Sequence, residues 1–226
     1  MKKSFLISLA LLCVAYVSSA QELTNEYFCG NTDLYNYYKG CLSIANAEVL
    51  PKSQSSMQYE DAIGFLAPVY ENKKYVNRYR VESLVRVDGE ALIPVEGRLQ
   101  FTYEYARKMY DDVLIKEKSI FREEEFTLLG QGAGEAVKCR VMTFAMKANS
   151  TVKFKDIMVG TSIVVVMCEP NAQVALSVVS DKTLQGTPFE KGMVSYCKWE
   201  SAEEQDFVYC IENKSDKEIS VVLMAN

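Results

Sequence analysis

The sequence contains no histidine among its 226 residues. Histidine is the usual general base near neutral pH, because its unperturbed pKa lies there. Its absence excludes Ser-His-Asp and Cys-His catalytic arrangements built by this chain alone. Zinc sites that use histidine are excluded too, and there is no Cys-x-x-Cys pair for a thiolate site. An enzyme of this sequence would need carboxylates, lysine, tyrosine or an external cofactor.

Basic residues are outnumbered, with 25 Lys and Arg against 30 Asp and Glu. The first twenty residues carry Lys2, Lys3, an apolar run over 5–17 and the small residues 18–20. This pattern predicts a secretory signal peptide cleaved after Ala20, and the apolar run is too short to span a bilayer. Cleavage takes the net charge from −5 to −7. We therefore expect a secreted or periplasmic protein that does not span the membrane and, being acidic, binds no nucleic acid.

Hydrophobic residues make up 49% of the chain, which is typical of a folded protein and argues against disorder. One of the seven cysteines, Cys13, lies in the predicted signal. Six cysteines in an exported chain indicate disulfides, with fifteen pairings to choose from. Sequence distance favours the pairs Cys29–Cys41 and Cys197–Cys210, with Cys139 and Cys168 as the remainder. The alternative is six buried free thiols. The candidates are Cys29, Cys41, Cys139, Cys168, Cys197 and Cys210.

Alternation of polar and apolar residues is the dominant pattern and has the period of a half-buried strand. Residues 75–87 alternate, and Asp88-Gly89 follows as a turn signal before a second alternating run over 91–95. Another turn at Glu96-Gly97 leads into residues 99–105. This pattern predicts a three-stranded meander in the N-terminal half.

A helical period occurs in one stretch, near residues 33–46. Its apolar residues recur at spacings of three and four and form one stripe. Thr32 or Asp33 is expected to cap the start, and Gly40 disfavours the helix by about 1 kcal/mol relative to alanine. The stripe consists of Leu34, Tyr37, Tyr38, Cys41, Leu42 and Ala45.

The C-terminal half contains about eight short strand patterns separated by turns. Residues 161–168 form a continuous apolar run, which is typical of a strand buried on both faces. We predict a mainly β protein: a β-rich N-terminal domain over 21–117 with one short helix, and a C-terminal antiparallel β-sandwich or jelly roll over 118–226.

The strand rhythm of the C-terminal half, with its glycine-led strand at Gly160 and its Asn213-Lys214-Ser215 turn, resembles secreted bacterial modules of the pre-peptidase C-terminal type. Those modules are small jelly-roll-like β-sandwiches appended to exported proteins. The resemblance implies a non-catalytic accessory fold, and it assigns no role to an individual residue. The aspartate-rich positions of that family have no clear counterpart here, so no calcium site is inferred.

Three motifs have simpler interpretations than a catalytic one. Gly130, Gly132 and Gly134 mimic a kinase glycine-rich loop, but the spacing differs and the histidine-containing catalytic loop is missing. Two Ser-x-x-Lys tetrads, at 150–153 and 195–198, fall in predicted strands or turns, where the serine and lysine point to opposite faces. The acidic clusters at 123–125 and 200–206 are interpreted as solvated charge.

The chain has one tryptophan, Trp199, in the segment 196–199, which is predicted to form a hairpin with 207–210. That hairpin would place Cys197 opposite Cys210. Tyrosines are concentrated in the N-terminal half, and an exposed tyrosine or tryptophan ring can stack on a sugar or peptide. A core position is favoured for Trp199, and most of the tyrosines are expected to be structural. The candidate ligand-binding residues are Trp199, Tyr35, Tyr37 and Tyr38.

These features favour an exported, non-catalytic binding or structural module of the bacterial cell envelope, which recognises carbohydrate or protein and needs no cofactor. A carboxylate-dependent glycan hydrolase is one alternative and would require two facing carboxyl groups roughly 5–10 Å apart. An accessory or inhibitor subunit of a secreted peptidase is the other.

Overall fold

The computed structural model describes residues 23–71, 85–89, 98–117, 139–180, 183–184 and 189–226. A 3₁₀ turn over Asn25–Phe28 precedes the helices α1 (Thr32–Val49), α2 (Lys52–Glu71) and α3 (Tyr103–Glu117). The strands are β1 (Val85–Gly89), β2 (Arg140–Met146), β3 (Thr151–Cys168), β4 (Val174–Ser180), β5 (Thr183–Leu184), β6 (Phe189–Lys191), β7 (Val194–Asn213) and β8 (Ile219–Ala225). Among these residues, no helix is both long and apolar enough to cross a membrane. The predicted signal peptide lies outside the described residues.

Helix α1 is the helix that the apolar stripe predicts. Leu34, Tyr38, Cys41 and Ala45 are buried at spacings of three and four along it. The cap lies one residue earlier than expected, because the side chain of Asn31 accepts a hydrogen bond from the backbone N–H of Leu34 at 3.1 Å.

Gly40 lies where α1 packs against α2. A Cβ atom added at this position would lie 2.8 Å from Leu66 Cδ2, and Leu66 is only 1% exposed. The glycine therefore permits a close helix–helix contact that outweighs its poor helix propensity.

The antiparallel sheet has the strand order β2-β8-β3-β7-β4-β5, with β1 on β3 and β6 on β7. The long strands β3 and β7 pair throughout, except at a bulge where residues 202–204 of β7 lie opposite residue 159 of β3. Gly160, at φ +78°, follows directly. The bulge divides the sheet into a first half-sheet (β2, β8, β6 and residues 161–168 and 194–200) and a second half-sheet (β1, β4, β5 and residues 151–158 and 206–213).

The two half-sheets face each other. Phe144 of β2 and Phe154 of β3 are remote in the strand order, yet their ring centroids lie 5.6 Å apart. Buried residues from both half-sheets form one core, which we call the inner core. Because β2 can reach the first part of β3 only across the space between the half-sheets, the sheet must fold on itself at the bulge.

The opposite face of the first half-sheet packs against the helices. Ile163, Val165 and Met224 share a core, here called the outer core, with Leu34 and Ile44 of α1. The first half-sheet is thus a middle layer between the helices and the second half-sheet. This placement explains why residues 162–168 are all buried, as the continuous apolar run predicts.

The fold is mixed rather than mainly β, because α2 and α3 accompany α1 and the sheet. The predicted third meander strand is wrong at its end, since Thr102 Oγ1 accepts a hydrogen bond from the N–H of Tyr105 and caps α3 there. The predicted Asp88-Gly89 turn is also wrong, because both residues belong to β1 and pair with β3. The rest of the meander, over 75–84 and 90–97, lies outside the described residues, as does the start of the proposed C-terminal domain.

Candidate functional site

An aromatic cluster connects the 3₁₀ turn to α1 and β7; we call it the aromatic patch. Phe28 is at its centre, with ring centroids 5.6 Å from Tyr35, 5.4 Å from Tyr38 and 6.5 Å from Tyr196. Tyr27 completes it, 5.7 Å from Tyr196 in an edge-to-face contact. Phe28 is fully buried, whereas Tyr27 is 38% exposed. The patch therefore extends from the outer core to the surface.

Hydrogen bonds fix the turn that carries Tyr27. The hydroxyl of Tyr196 donates to the main-chain oxygen of Tyr27 at 2.9 Å. Lys198 and Cys29 follow Tyr196 and Tyr27 by two positions, and Lys198 Nζ donates to the sulfur of Cys29 at 2.7 Å. Burial of Tyr196 raises the pKa of its hydroxyl, so the hydroxyl keeps its proton as a donor. The exposed Tyr27 is thus held at its main-chain oxygen and through the T-shaped contact of its ring with Tyr196.

The tyrosines that the sequence singles out have different environments. Tyr35 is half-buried in the aromatic patch, and Tyr38 is 1% exposed there, with its hydroxyl accepting a hydrogen bond from the N–H of Leu23. Tyr37 lies apart from them and donates its hydroxyl proton to the main-chain oxygen of Phe101 at 2.8 Å. Tyr35 and Tyr38 are therefore brought together, while Tyr37 anchors α1 to the segment before α3.

Trp199 is not part of this patch. It is 6% exposed and lies in the inner core, with its ring 5.0 Å from Phe207 and 6.1 Å from Tyr209. The core position that the sequence favours for Trp199 is confirmed, and the alternative of an exposed stacking ring is wrong, because the second half-sheet covers that face of β7. Among the aromatic residues that the structure describes, Tyr27 is the exposed one. The sequence does not single it out, because one tyrosine before a predicted helix carries no periodic signal.

The predicted hairpin between 196–199 and 207–210 is also wrong. Both segments belong to the continuous strand β7, where Cys197 pairs with Val164 and Cys210 pairs with Lys153. Cys197 and Cys210 are separated by thirteen steps of one strand, so they cannot face each other. The described cysteines are all free thiols, and the structure gives no support to the proposed disulfides; they are Cys29, Cys41, Cys139, Cys168, Cys197 and Cys210.

A buried ion pair joins the two half-sheets at the edge of the inner core. Arg140 of β2 binds both carboxylate oxygens of Asp156 of β3, at 2.8 and 2.7 Å. Asp156 also accepts hydrogen bonds from the Tyr209 hydroxyl at 2.5 Å and the Ile157 N–H at 2.9 Å. The guanidinium of Arg140 further donates to the main-chain oxygen of Asn226. We call Arg140, Asp156 and Tyr209 the polar clasp.

The ionisable groups of the polar clasp are bonded to one another, and their pKa values are shifted by burial and by these contacts. Burial alone lowers the pKa of Arg140, but the hydrogen bond and charge of Asp156 outweigh it and raise that pKa. Burial and the same charge raise the pKa of Tyr209. Because Asp156 is fully buried and accepts four hydrogen bonds, it is poorly placed to act as a general base. Sequence patterns could not reveal this clasp, whose members lie up to 69 positions apart.

A carboxylate also joins the three helices. Oε1 of Glu48 on α1 accepts hydrogen bonds from the hydroxyls of Tyr59 on α2, at 2.6 Å, and Tyr105 on α3, at 2.8 Å. Burial and this hydrogen bond raise the pKa of both tyrosines, which therefore remain donors. The arrangement stabilises the helix packing.

The other motifs are explained by the sheet. Ser195 is fully buried and accepts a hydrogen bond from the Leu176 N–H, so it is not paired with Lys198. In the acidic segment of β7, Glu200, Glu203 and Glu204 are exposed, and Asp206 forms an ion pair with Lys155 at 2.6 Å. The described residues contain no group of three or more acidic or cysteine side chains that could hold a metal ion. The glycines at 130–134 and the acidic residues at 123–125 lie outside the described part of the chain.

Comparison with known proteins adds no assignment: no protein-family model matches the chain, and no curated protein matches it significantly.

Proposed function

We propose that the protein is an exported, non-catalytic binding module of the bacterial cell envelope, which recognises a carbohydrate or protein partner through the aromatic patch. The observation that carries this proposal is the exposed Tyr27, which Tyr196 holds through a T-shaped ring contact and a hydrogen bond to its main-chain oxygen. The predicted signal peptide supports the proposed location outside the cytoplasm. The resemblance to pre-peptidase C-terminal modules stays a prediction.

Tyr27 has the properties of a recognition residue. A tyrosine ring offers a rigid apolar face with a polar tip, which suits sugar rings and protein surfaces alike. Because its backbone is already fixed, little conformational entropy is lost when a partner binds. The ammonium of Lys198 lies beside the same turn and supplies hydrogen-bond donors.

The ionisable groups of the described residues support binding rather than catalysis. Asp156 is enclosed in the polar clasp, and Glu48 is engaged by two tyrosine hydroxyls. No histidine is available to transfer protons near neutral pH. Binding a partner through the aromatic patch requires no proton transfer by any of these groups.

The test compares the unmodified protein with Tyr27→Ala on a glycan array and in pull-downs from envelope fractions. We expect Tyr27→Ala to weaken binding by roughly tenfold or more, as loss of a central aromatic contact does at other interfaces. Met57→Ala is the matched control, because Met57 is 65% exposed on α2, away from the patch, and should leave binding unchanged. Empty results with the unmodified protein in both assays would refute the proposal.

A further inference from the structure

Cys29 and Lys198 form a close contact between residues 169 positions apart. The sulfur of Cys29 and the Nζ atom of Lys198 are 2.7 Å apart. Cys29 is the exposed cysteine among the six, so reagents in solution can reach its sulfur. At this separation the two atoms can be joined by an S–N bond once the sulfur has been oxidised.

The main chain on both sides holds this contact. Cys29 ends the 3₁₀ turn in the left-handed conformation, at φ +51°, with its N–H bonded to the main-chain oxygen of Glu26. This backbone conformation and its hydrogen bond fix the direction of the Cα–Cβ bond of Cys29, from which the sulfur reaches Lys198. The hydrogen bond from Tyr196 to Tyr27 holds the turn against β7 two residues away. The contact is therefore a property of the fold and not only of two mobile side chains.

We propose that peroxide converts this contact into a covalent link between Cys29 and Lys198. The sulfur attacks a peroxide oxygen, is oxidised by two electrons to a sulfenic acid, and the peroxide is reduced to water. The ammonium of Lys198 first gives one proton to solvent, and the neutral amine attacks the sulfur. The S–N bond forms as the S–O bond breaks, and the departing oxygen takes a second proton from the nitrogen and leaves as water. The product is a sulfenamide with one S–N bond, lighter than the starting protein by two hydrogen atoms.

The amine of Lys198 is better placed than the other five described cysteines to react with the sulfenic acid of Cys29. Cys41, Cys139, Cys168 and Cys197 are buried, and Cys210 lies on the second half-sheet. Condensation of a sulfenic acid with a protein nitrogen is established chemistry for backbone amides, and an amine is a stronger nucleophile. The link would fasten the Tyr27 turn to β7, and it does not depend on the proposed binding function.

The test treats the reduced, purified protein with hydrogen peroxide and maps its peptides by mass spectrometry without reducing agent. We expect a joined pair of peptides containing Cys29 and Lys198, lighter by two hydrogen atoms and separated again by a thiol reductant. The thermal midpoint should rise by several degrees, because the link closes a long loop in the unfolded chain.

Lys198→Met should abolish the joined peptides and leave Cys29 as a sulfenic acid that dimedone traps. Lys214→Met, which removes a lysine at another place on the fold, should still form the link. Conversion of Cys29 in the unmodified protein to sulfinic acid or an intermolecular disulfide, without joined peptides, would overturn the proposal. A joined pair that retains an oxygen atom would overturn the condensation step.

Discussion

Strand β7 contributes to two aromatic clusters with opposite properties. On one face, Tyr196 packs into the aromatic patch, which reaches the surface at Tyr27. On the other face, three residues further on, Trp199 is enclosed with Phe207 and Tyr209 behind the polar clasp. The alternation of side chains along β7 decides which face of the strand each ring occupies. The layer packed on that face decides whether a ligand can reach the ring.

The largest expected effect on stability comes from removing the carboxylate of the polar clasp at the edge of the inner core. Asp156→Asn leaves the charge of Arg140 buried without its carboxylate partner, which should lower the free energy of unfolding by roughly 3–5 kcal/mol. The control is Asp206→Asn, because Asp206 pairs with Lys155 while its side chain is 57% exposed. That change should cost no more than about 1 kcal/mol. Equal losses in urea denaturation of the two variants would show that the clasp is no more important than a surface ion pair.

Alkaline pH should also weaken the inner core. Burial raises the pKa of Cys197 to about 11 and that of Cys168 to about 12, from an ordinary value of 9.0. Above pH 9 the unfolded chain releases thiol protons that the folded chain retains, so unfolding becomes easier as pH rises. The stability present below pH 9 should fall by about 1.4 kcal/mol per pH unit for each thiol, up to its folded pKa.

Denaturation midpoints measured at pH 8, 10 and 11 check this slope. Cys168→Ala should make it shallower, although this variant starts from a lower stability. A slope unchanged by that substitution would contradict the burial of Cys168.

A smaller effect is expected where the helices support the aromatic patch. Gly40→Ala should destabilise the protein by about 1–3 kcal/mol, because the added methyl group meets Leu66. Gly64→Ala on α2 is the control, since its added Cβ meets no atom within 4 Å, and it should gain up to about 1 kcal/mol in helix propensity. Thermal denaturation compares the two, and a stabilising Gly40→Ala would show that α1 and α2 are not closely packed there.

The sequence predicted local structure better than it predicted layers. Helix α1 and strands β2, β4 and β8 follow from patterns that need no distant partner. Helix α3 was missed because Tyr103 and Tyr105 continue a strand-like alternation, although Thr102 begins a helix there. The acidic run before Phe207 has the composition of a turn, but it forms the bulge at which one long strand changes half-sheet.

The candidate site was predicted only in part, for a related reason. Tyr35 and Tyr38 are candidates because tyrosines are concentrated in the N-terminal half, and both belong to the aromatic patch. Tyr27 and Lys198 are brought near each other by contacts that span most of the chain, which no local pattern encodes. The burial of Trp199 agrees with the core position that the sequence favours, but the sequence does not reveal that the second half-sheet is the layer that covers it.

Collisional quenching of tryptophan fluorescence tests the contrast between the two clusters most directly, because Trp199 is the only tryptophan in the chain. Acrylamide titrated into the native protein should quench a blue-shifted emission weakly, and quenching should increase severalfold once urea unfolds the chain. Strong quenching of a red-shifted emission in the native protein would place Trp199 in solvent and contradict the folded-over sheet.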